Sequence, residues 1–153
     1  MYKDTYTEEQ LGEVIIGLTR QLIGGIWSYT KRERIAAINN FLVNASNYYN
    51  MPVPEFEFVE GNEGLQGYSY TGGGITHKTP YGNVKITMYR KFSLTTLLHE
   101  FRHAMQLNGL VEGSNEEGFD AEEDAREWSC SLYYNADPTR YMRAVNAGKL
   151  RFA

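Results

Sequence analysis

Asn83–Gln106, "NVKITMYRKFSLTTLLHEFRHAMQ", changes its apolar period half-way along. Val84, Ile86 and Met88 alternate with Lys85, Thr87 and Tyr89, the two-residue period of a half-buried strand. From Leu94 onward the apolar residues recur three and four apart: Leu94, Leu97, Leu98, Phe101, Ala104 and Met105. That is the period of a helix packed by one face. Ser93 is a suitable N-cap and Gly109 stands at the C-terminal cap position, so the spacing predicts a helix over 94–108.

Outward from this unit, helical spacing prevails on both sides. Thr7-Glu8-Glu9-Gln10 has the form of a capping box. Leu11, Val14, Ile15, Leu18 and Leu22 continue from it with helical spacing, and Gly24-Gly25 is expected to end that helix. A second helix is expected from Lys31 to about Tyr48 on Ile35, Ile38, Phe41, Leu42 and Ala45. Proline in "NMPVP" breaks it. "EFEFVE" alternates like a strand. Gly61–Gly82 is rich in Gly, Tyr and Thr, and "TGGGITHKTPYGN" within and beyond it reads as a loop or hairpin turn. A helix is expected from Phe119 or Asp120 to about Tyr134, and a short one over "PTRYMRAVNAG". The predicted fold is α+β: a small, mostly antiparallel sheet packed on the 93–108 helix, with further helices. It forms a single domain over 1–153, with N-terminal helices in 1–50, strands and the Gly/Tyr-rich loop in 54–90, and helices over 93–108 and 119–134.

A chain of 153 residues can bury a core without metal or disulfide staples, so a metal here would serve chemistry. The net charge of −4 disfavours a partner bound through phosphate neutralisation, and no nucleic-acid partner is expected. With one cysteine, Cys130, no intramolecular disulfide is possible. The polar start "MYKDTYTEEQ" lacks the apolar core of a signal peptide, and no apolar run approaches the length of a membrane span. A cytoplasmic protein without a membrane partner is expected.

Two of the three histidines lie in "LLHEFRH", Leu97–His103. Residues four apart stack on one helical face, so His99 and His103 can present ring nitrogens to one ion. Glu100 lies about 100° round the helix. It can border that ion without being its ligand, as the general base for an attacking water. The pattern HExxH therefore supplies two ligands and a base from one turn. Two solvated histidines on an amphipathic helix would share the spacing. The motif's helical context and the scarcity of histidine favour the metal site.

A catalytic zinc takes three protein ligands. The longer pattern HExxHxxGxxH does not continue here, since 106 is Gln and 109 is Gly. His77 lies upstream in the expected loop, which makes the acidic run "DAEEDARE" the better source. Ala121, Ala125, Trp128 and Leu132 form the apolar stripe of its helix. Glu122 and Asp124 flank that stripe, whereas Glu123 and Glu127 point away. The third ligand is then Glu122 or Asp124. An acidic first turn that complements the helix dipole is the plain alternative.

"NVKITMYRKFSLTTLLHEFRHAMQ" followed by "EEDAREWSCSL" resembles the ImmA/IrrE type of zinc-dependent metallopeptidase, over roughly Val84–Leu132. These are compact zincins, frequent in phages and mobile elements. In them an edge strand precedes the HExxH helix, and a second helix carries E-x-E-A-x-x-F-A-x-x-L. The resemblance places the third ligand on Glu122, the small residue on Ala125 and the aromatic on Trp128. It departs from the pattern at Arg102, Asp124 and Ser129. It implies a zincin-like domain holding one Zn2+ through His99, His103 and Glu122, with Glu100 as catalytic base and a protein or peptide substrate. Two other readings remain: a zinc-binding interaction or regulatory module, such as a phage anti-defence protein, and a metal-free α+β domain.

Of the residue types able to steady an oxyanion, Tyr81, Tyr89, His77 and Arg102 are available, and each also fits an ordinary structural place. The strand "NVKITMY" could pair with an extended peptide by strand addition, and it also fits an ordinary sheet strand. "TGGGITHKT" lacks the pattern of a phosphate-cradling loop. Cys130 reads as a small buried residue. Arg102, inside the motif, has no role that spacing explains.

Overall fold

A computed structural model describes residues 2–60, 73–89 and 91–150. Its architecture is α+β. After a short 3-10 turn (Tyr2–Asp4) come α1 (Glu8–Leu11), α2 (Glu13–Ile26), α3 (Lys31–Tyr48), β1 (Glu55–Val59), β2 (Gly74–Lys78), β3 (Val84–Tyr89), α4 (Leu94–Leu107), α5 (Ala121–Ala136) and α6 (Pro138–Asn146). The sheet runs β1-β3-β2. β2 and β3 form an antiparallel hairpin closed by the amide of Thr79 donating to the Asn83 carbonyl at 2.7 Å. β1 lies parallel to β3. The sheet is thus mixed, which corrects the mostly antiparallel sheet expected. β2 intervenes in the chain between β1 and β3, and a connection of that kind returns the strand in the same direction.

Three further expectations change. β3 is not an edge but the centre, and it is covered on both faces: Ile86, Met88, Thr87 and Tyr89 are all buried. It therefore has no free side for a peptide. The stretch "GITHK" is a strand rather than a loop, while 61–72 of the Gly/Tyr-rich segment lie outside the described residues. The first helix is two helices. The capping box on Thr7 and Gln10 forms as expected, but the chain breaks at Gly12, whose φ of +97° suits only glycine. The break re-phases α2, so Ile16 is buried where Val14, 49 % exposed, was expected.

Gly24-Gly25 does not end α2; it lies inside it. A Cβ on Gly25 would come within 2.6 Å of the Ala37 Cβ on α3, so the residue permits the close approach of two helices. Gly25→Ala should cost about 1–3 kcal/mol by overpacking this crossing. Gly17→Ala on the same helix, with nothing within 4 Å of the added carbon, should stabilise by about 0.5–1 kcal/mol. Urea melts of the two variants check the contrast. Equal effects would mean that the crossing is not tight.

α4 packs on β2 and β3 on one side and on α5 on the other. Phe101 stands at the centre of the core, 5.5 Å from the Phe41 ring on α3 and 6.2 Å from the Trp128 ring on α5. From Leu94 to Met105, every residue of α4 except His103 is buried. That burial includes His99, Glu100 and Arg102, and buried polar groups need partners. Among the described residues no helix is long and apolar enough to cross a membrane.

Candidate metal centre

Ser93 caps α4 by accepting from the Thr96 amide, and Asp120 caps α5 by accepting from the Glu123 amide. The second cap starts α5 one residue before Glu122. There the Glu122 carboxylate faces the histidines of α4. Its Oε2 stands 3.0 Å from His99 Nε2, and its Oε1 stands 3.0 Å from His103 Nε2. The two Nε2 atoms are 3.1 Å apart. One helical turn separates the two rings, which meet nearly edge to face. The His99 side chain is fully buried, His103 is 15 % exposed and Glu122 is 52 % exposed. The cluster therefore opens to solvent on the Glu122 side.

Glu100 lies on the sheet side of the same turn, 2 % exposed. Thr76 Oγ1 of β2 lies 2.7 Å from Glu100 Oε1 and 3.0 Å from the Glu100 carbonyl oxygen. Gly74 makes that approach possible. A Cβ there would meet Thr96 Cγ2 at 2.9 Å and Glu100 Cγ at 3.1 Å. Ligand-type atoms of His99, Glu100 and His103 all lie within 4.8 Å of one another.

The electrostatics follow from burial. Desolvation, reinforced by the neighbouring His103, lowers the His99 pKa to about 4. The ring is then neutral at pH 7, so its contact with Glu122 is a hydrogen bond and not an ion pair. Burial pushes Glu100 up to about 7, against the hydrogen bond from Thr76 and the pull of His103.

Arg102 now has a role. Its Nε donates to Asp124 Oδ2 at 2.8 Å and its Nη2 to Asp124 Oδ1 at 3.2 Å, a two-pronged pair with both side chains 10 % exposed. Tyr6 Oη accepts from Arg102 Nη2 and donates to Asp124 Oδ1. The guanidinium also lies over the Trp128 ring at 5.3 Å. Burial alone would raise the Asp124 pKa. The hydrogen bonds from Arg102, Gln106 and Tyr6, with the charge of Arg102, outweigh it and hold the carboxyl below its ordinary value. Asp124, the alternative third ligand, is committed to this pair.

Gln106 joins the two groups. Its Nε2 donates to the Ala121 carbonyl at 3.0 Å and to Asp124 Oδ2 at 2.9 Å, and its Oε1 stands 2.8 Å from His103 Nδ1. A neutral His103 bonded this way directs a lone pair at Glu122 Oε1, itself an acceptor. Two acceptors 3.0 Å apart repel one another, and positive charge between them, from a second proton on His103 or from a metal ion, relieves that repulsion. Two imidazole nitrogens and a carboxylate are a donor set that suits zinc. On donor chemistry, the cluster fits the ion.

The other candidates lie elsewhere. Strand alternation places His77 on the opposite face of β2 from Thr76, and it is exposed. Tyr81 is 91 % exposed in the hairpin turn, and Tyr89 is buried in the sheet. Glu123 pairs with Arg126. Cys130 is fully buried, and burial raises its thiol pKa to about 11, which leaves it inert at neutral pH.

Thr76, Gln106 and Tyr6 are the residues of this cluster that sequence reasoning did not single out. Gln106 carried a signal, since it lies three residues after His103 on the same helical face. Thr76 and Tyr6 carried none, because only the tertiary fold brings them to α4. The chain matches no protein-family model, no curated protein and no solved structure.

Proposed function

We propose that the protein is a zinc-dependent hydrolase, a metallopeptidase of the HExxH-plus-glutamate type. The observation that carries this reading is the meeting of His99 Nε2, His103 Nε2 and the Glu122 carboxylate at 3.0–3.1 Å, with buried Glu100 beside them. His99, His103 and Glu122 would hold one Zn2+. When bound, zinc supplies a Lewis acid that lowers the pKa of water and polarises a carbonyl. Glu100 takes the proton of the attacking water on its carboxylate and returns it to the leaving amine nitrogen. Thr76 orients that carboxylate.

A peptide substrate is supported by β2, an edge of the described sheet. An extended chain can hydrogen-bond to a free strand edge, and Thr76 ties this one to Glu100. The resemblance of Val84–Leu132 to ImmA/IrrE metallopeptidases points the same way, and with it go a cytoplasmic setting and a phage or mobile-element source.

Elemental analysis of the purified protein tests the metal. About one zinc per chain is expected in the wild type, and little in His99→Ala or Glu122→Ala. A metal-free wild type that cannot be loaded would sink the proposal. A cleavage screen of cellular proteins against Glu100→Gln then tests the chemistry. If zinc is present and the biological effect survives Glu100→Gln, the protein is a zinc-binding interaction module instead.

A further inference from the structure

We propose that Gln106 is a positioning residue: it sets the tautomer of His103 so that Nε2 carries the lone pair that faces Glu122, and the Arg102–Asp124 pair holds Gln106 in that orientation. The inference rests on the reading of His99, His103 and Glu122 as metal ligands for its purpose, but its structural part stands without it.

The orientation of the amide is decided by its neighbours. The Gln106 nitrogen stands 3.0 Å from the Ala121 carbonyl oxygen and 2.9 Å from Asp124 Oδ2. A carbonyl oxygen can only accept. Asp124 holds no proton either, because its carboxylate receives Nε and Nη2 of Arg102 and the hydroxyl of Tyr6. Rotating the amide by half a turn would set its oxygen against two acceptors and leave the Ala121 carbonyl and Asp124 Oδ2 without their donor. The nitrogen therefore stays where it is, and Oε1 is left facing His103 Nδ1 at 2.8 Å. An amide oxygen only accepts, so Nδ1 must donate. A neutral imidazole has one proton to give. With that proton on Nδ1, Nε2 is bare, and it lies 3.0 Å from Glu122 and 3.1 Å from His99 Nε2.

The consequence for a metal is preorganisation. A histidine whose second nitrogen is held by a hydrogen bond presents its lone pair without first changing tautomer or rotating. His99 lacks such help, since its buried Nδ1 has no hydrogen-bond partner among the described residues. On its Nδ1 side it is held by packing. The two histidines of one motif are thus held by different means, and the polar network serves His103. That network spans three parts of the chain: Tyr6 before α1, Arg102 and Gln106 on α4, and Asp124 on α5.

Nitrogen-15 NMR of the histidine rings in the full-length, zinc-free chain reads the tautomer directly, at a pH where imidazole is neutral. The wild type should show His103 protonated at Nδ1 and bare at Nε2. Gln106→Met keeps the length of the side chain and removes the acceptor; its His103 should shift towards the Nε2–H form. Gln106→Glu keeps an acceptor for Nδ1 and should retain the wild-type tautomer, at a cost in stability because its second oxygen then faces the Ala121 carbonyl and Asp124 Oδ2. Zinc affinity, measured by competition with a chelator, should fall about 10–100-fold in Gln106→Met and by less in Gln106→Glu. A neutral wild-type His103 whose single proton sits on Nε2 overturns the proposal even if no variant folds. So does a Gln106→Met whose tautomer and zinc affinity both match the wild type. Failure of the metal reading looks different: the wild type binds no zinc, while the Nδ1–H tautomer and its dependence on Gln106 persist.

Discussion

Glu100→Gln is expected to keep zinc at the wild-type level and to lower peptide hydrolysis by at least about 10²–10⁴-fold, the usual worth of a positioned general base. The substitution preserves volume at a position 2 % exposed, and the amide oxygen can still accept from Thr76. Neither His99, His103 nor Glu122 loses a contact. On the proposed mechanism, what disappears is the group that accepts and returns a proton. Activity within a few-fold of wild type would remove Glu100 from the mechanism, and loss of zinc would mean that it belongs to the ligand set.

The same variant has a distinct signature in chelator-treated, zinc-free protein. Burial raises Glu100 to about 7 from an ordinary 4.5, so the folded chain holds a proton that the unfolded chain releases. Its contribution to stability is complete below pH 4.5 and is lost as pH rises through 7. Burial lowers His99 to about 4 from 6.5, which gives the opposite slope: stability is present above 6.5 and lost as pH falls through 4. In the wild type the two slopes oppose one another between pH 4.5 and 6.5. Glu100→Gln removes the first and exposes the second. Relative to wild type, the variant should gain roughly 3 kcal/mol as pH rises from acid to above 7. Urea melts across the pH range measure this. A constant difference between the two proteins would show that the carboxyl titrates alike in the folded and unfolded states.

Arg102→Met should destabilise the protein by about 3–5 kcal/mol, because it leaves the Asp124 carboxylate buried without its cation. The pair is two-pronged and 10 % exposed on each side, so solvent does little to screen it. Asp124→Leu should cost a similar amount by stranding the guanidinium between Tyr6 and Trp128. Combining them should cost clearly less than the sum of the two, since no unpaired charge remains. Arg102→Lys should recover only part of the loss, because a single ammonium cannot reproduce the fork. Strict additivity in this double-mutant cycle would mean that the two residues do not act as a pair. A single-variant cost below about 1 kcal/mol would place the pair with screened surface ion pairs.

Local chemistry in the chain determined much of this structure. α3 spans the segment that its apolar spacing and the prolines after it mark out, and α6 begins at Pro138. α4 begins after Ser93 and α5 after Asp120, because each cap satisfies amides that would otherwise lack partners. The four-residue spacing of His99 and His103 set the two rings together, for that geometry belongs to one helical turn. The choice between Glu122 and Asp124 was not of this kind. Helical phase left both beside the packed face, and only the approach of α5 to α4 turned Glu122 to the histidines and Asp124 to Arg102. The same holds for Gly24-Gly25, which reads locally as a helix end. It stays helical in the fold, where α3 lies 2.6 Å from a carbon added at Gly25. It holds for β3 as well. Its alternation marked a strand buried on one face; β1 and β2 made it the central strand, and packing buries residues on both of its faces. Periodicity and caps are properties of neighbours in sequence. The partners of a buried charge depend on which elements pack together, and that is settled in three dimensions.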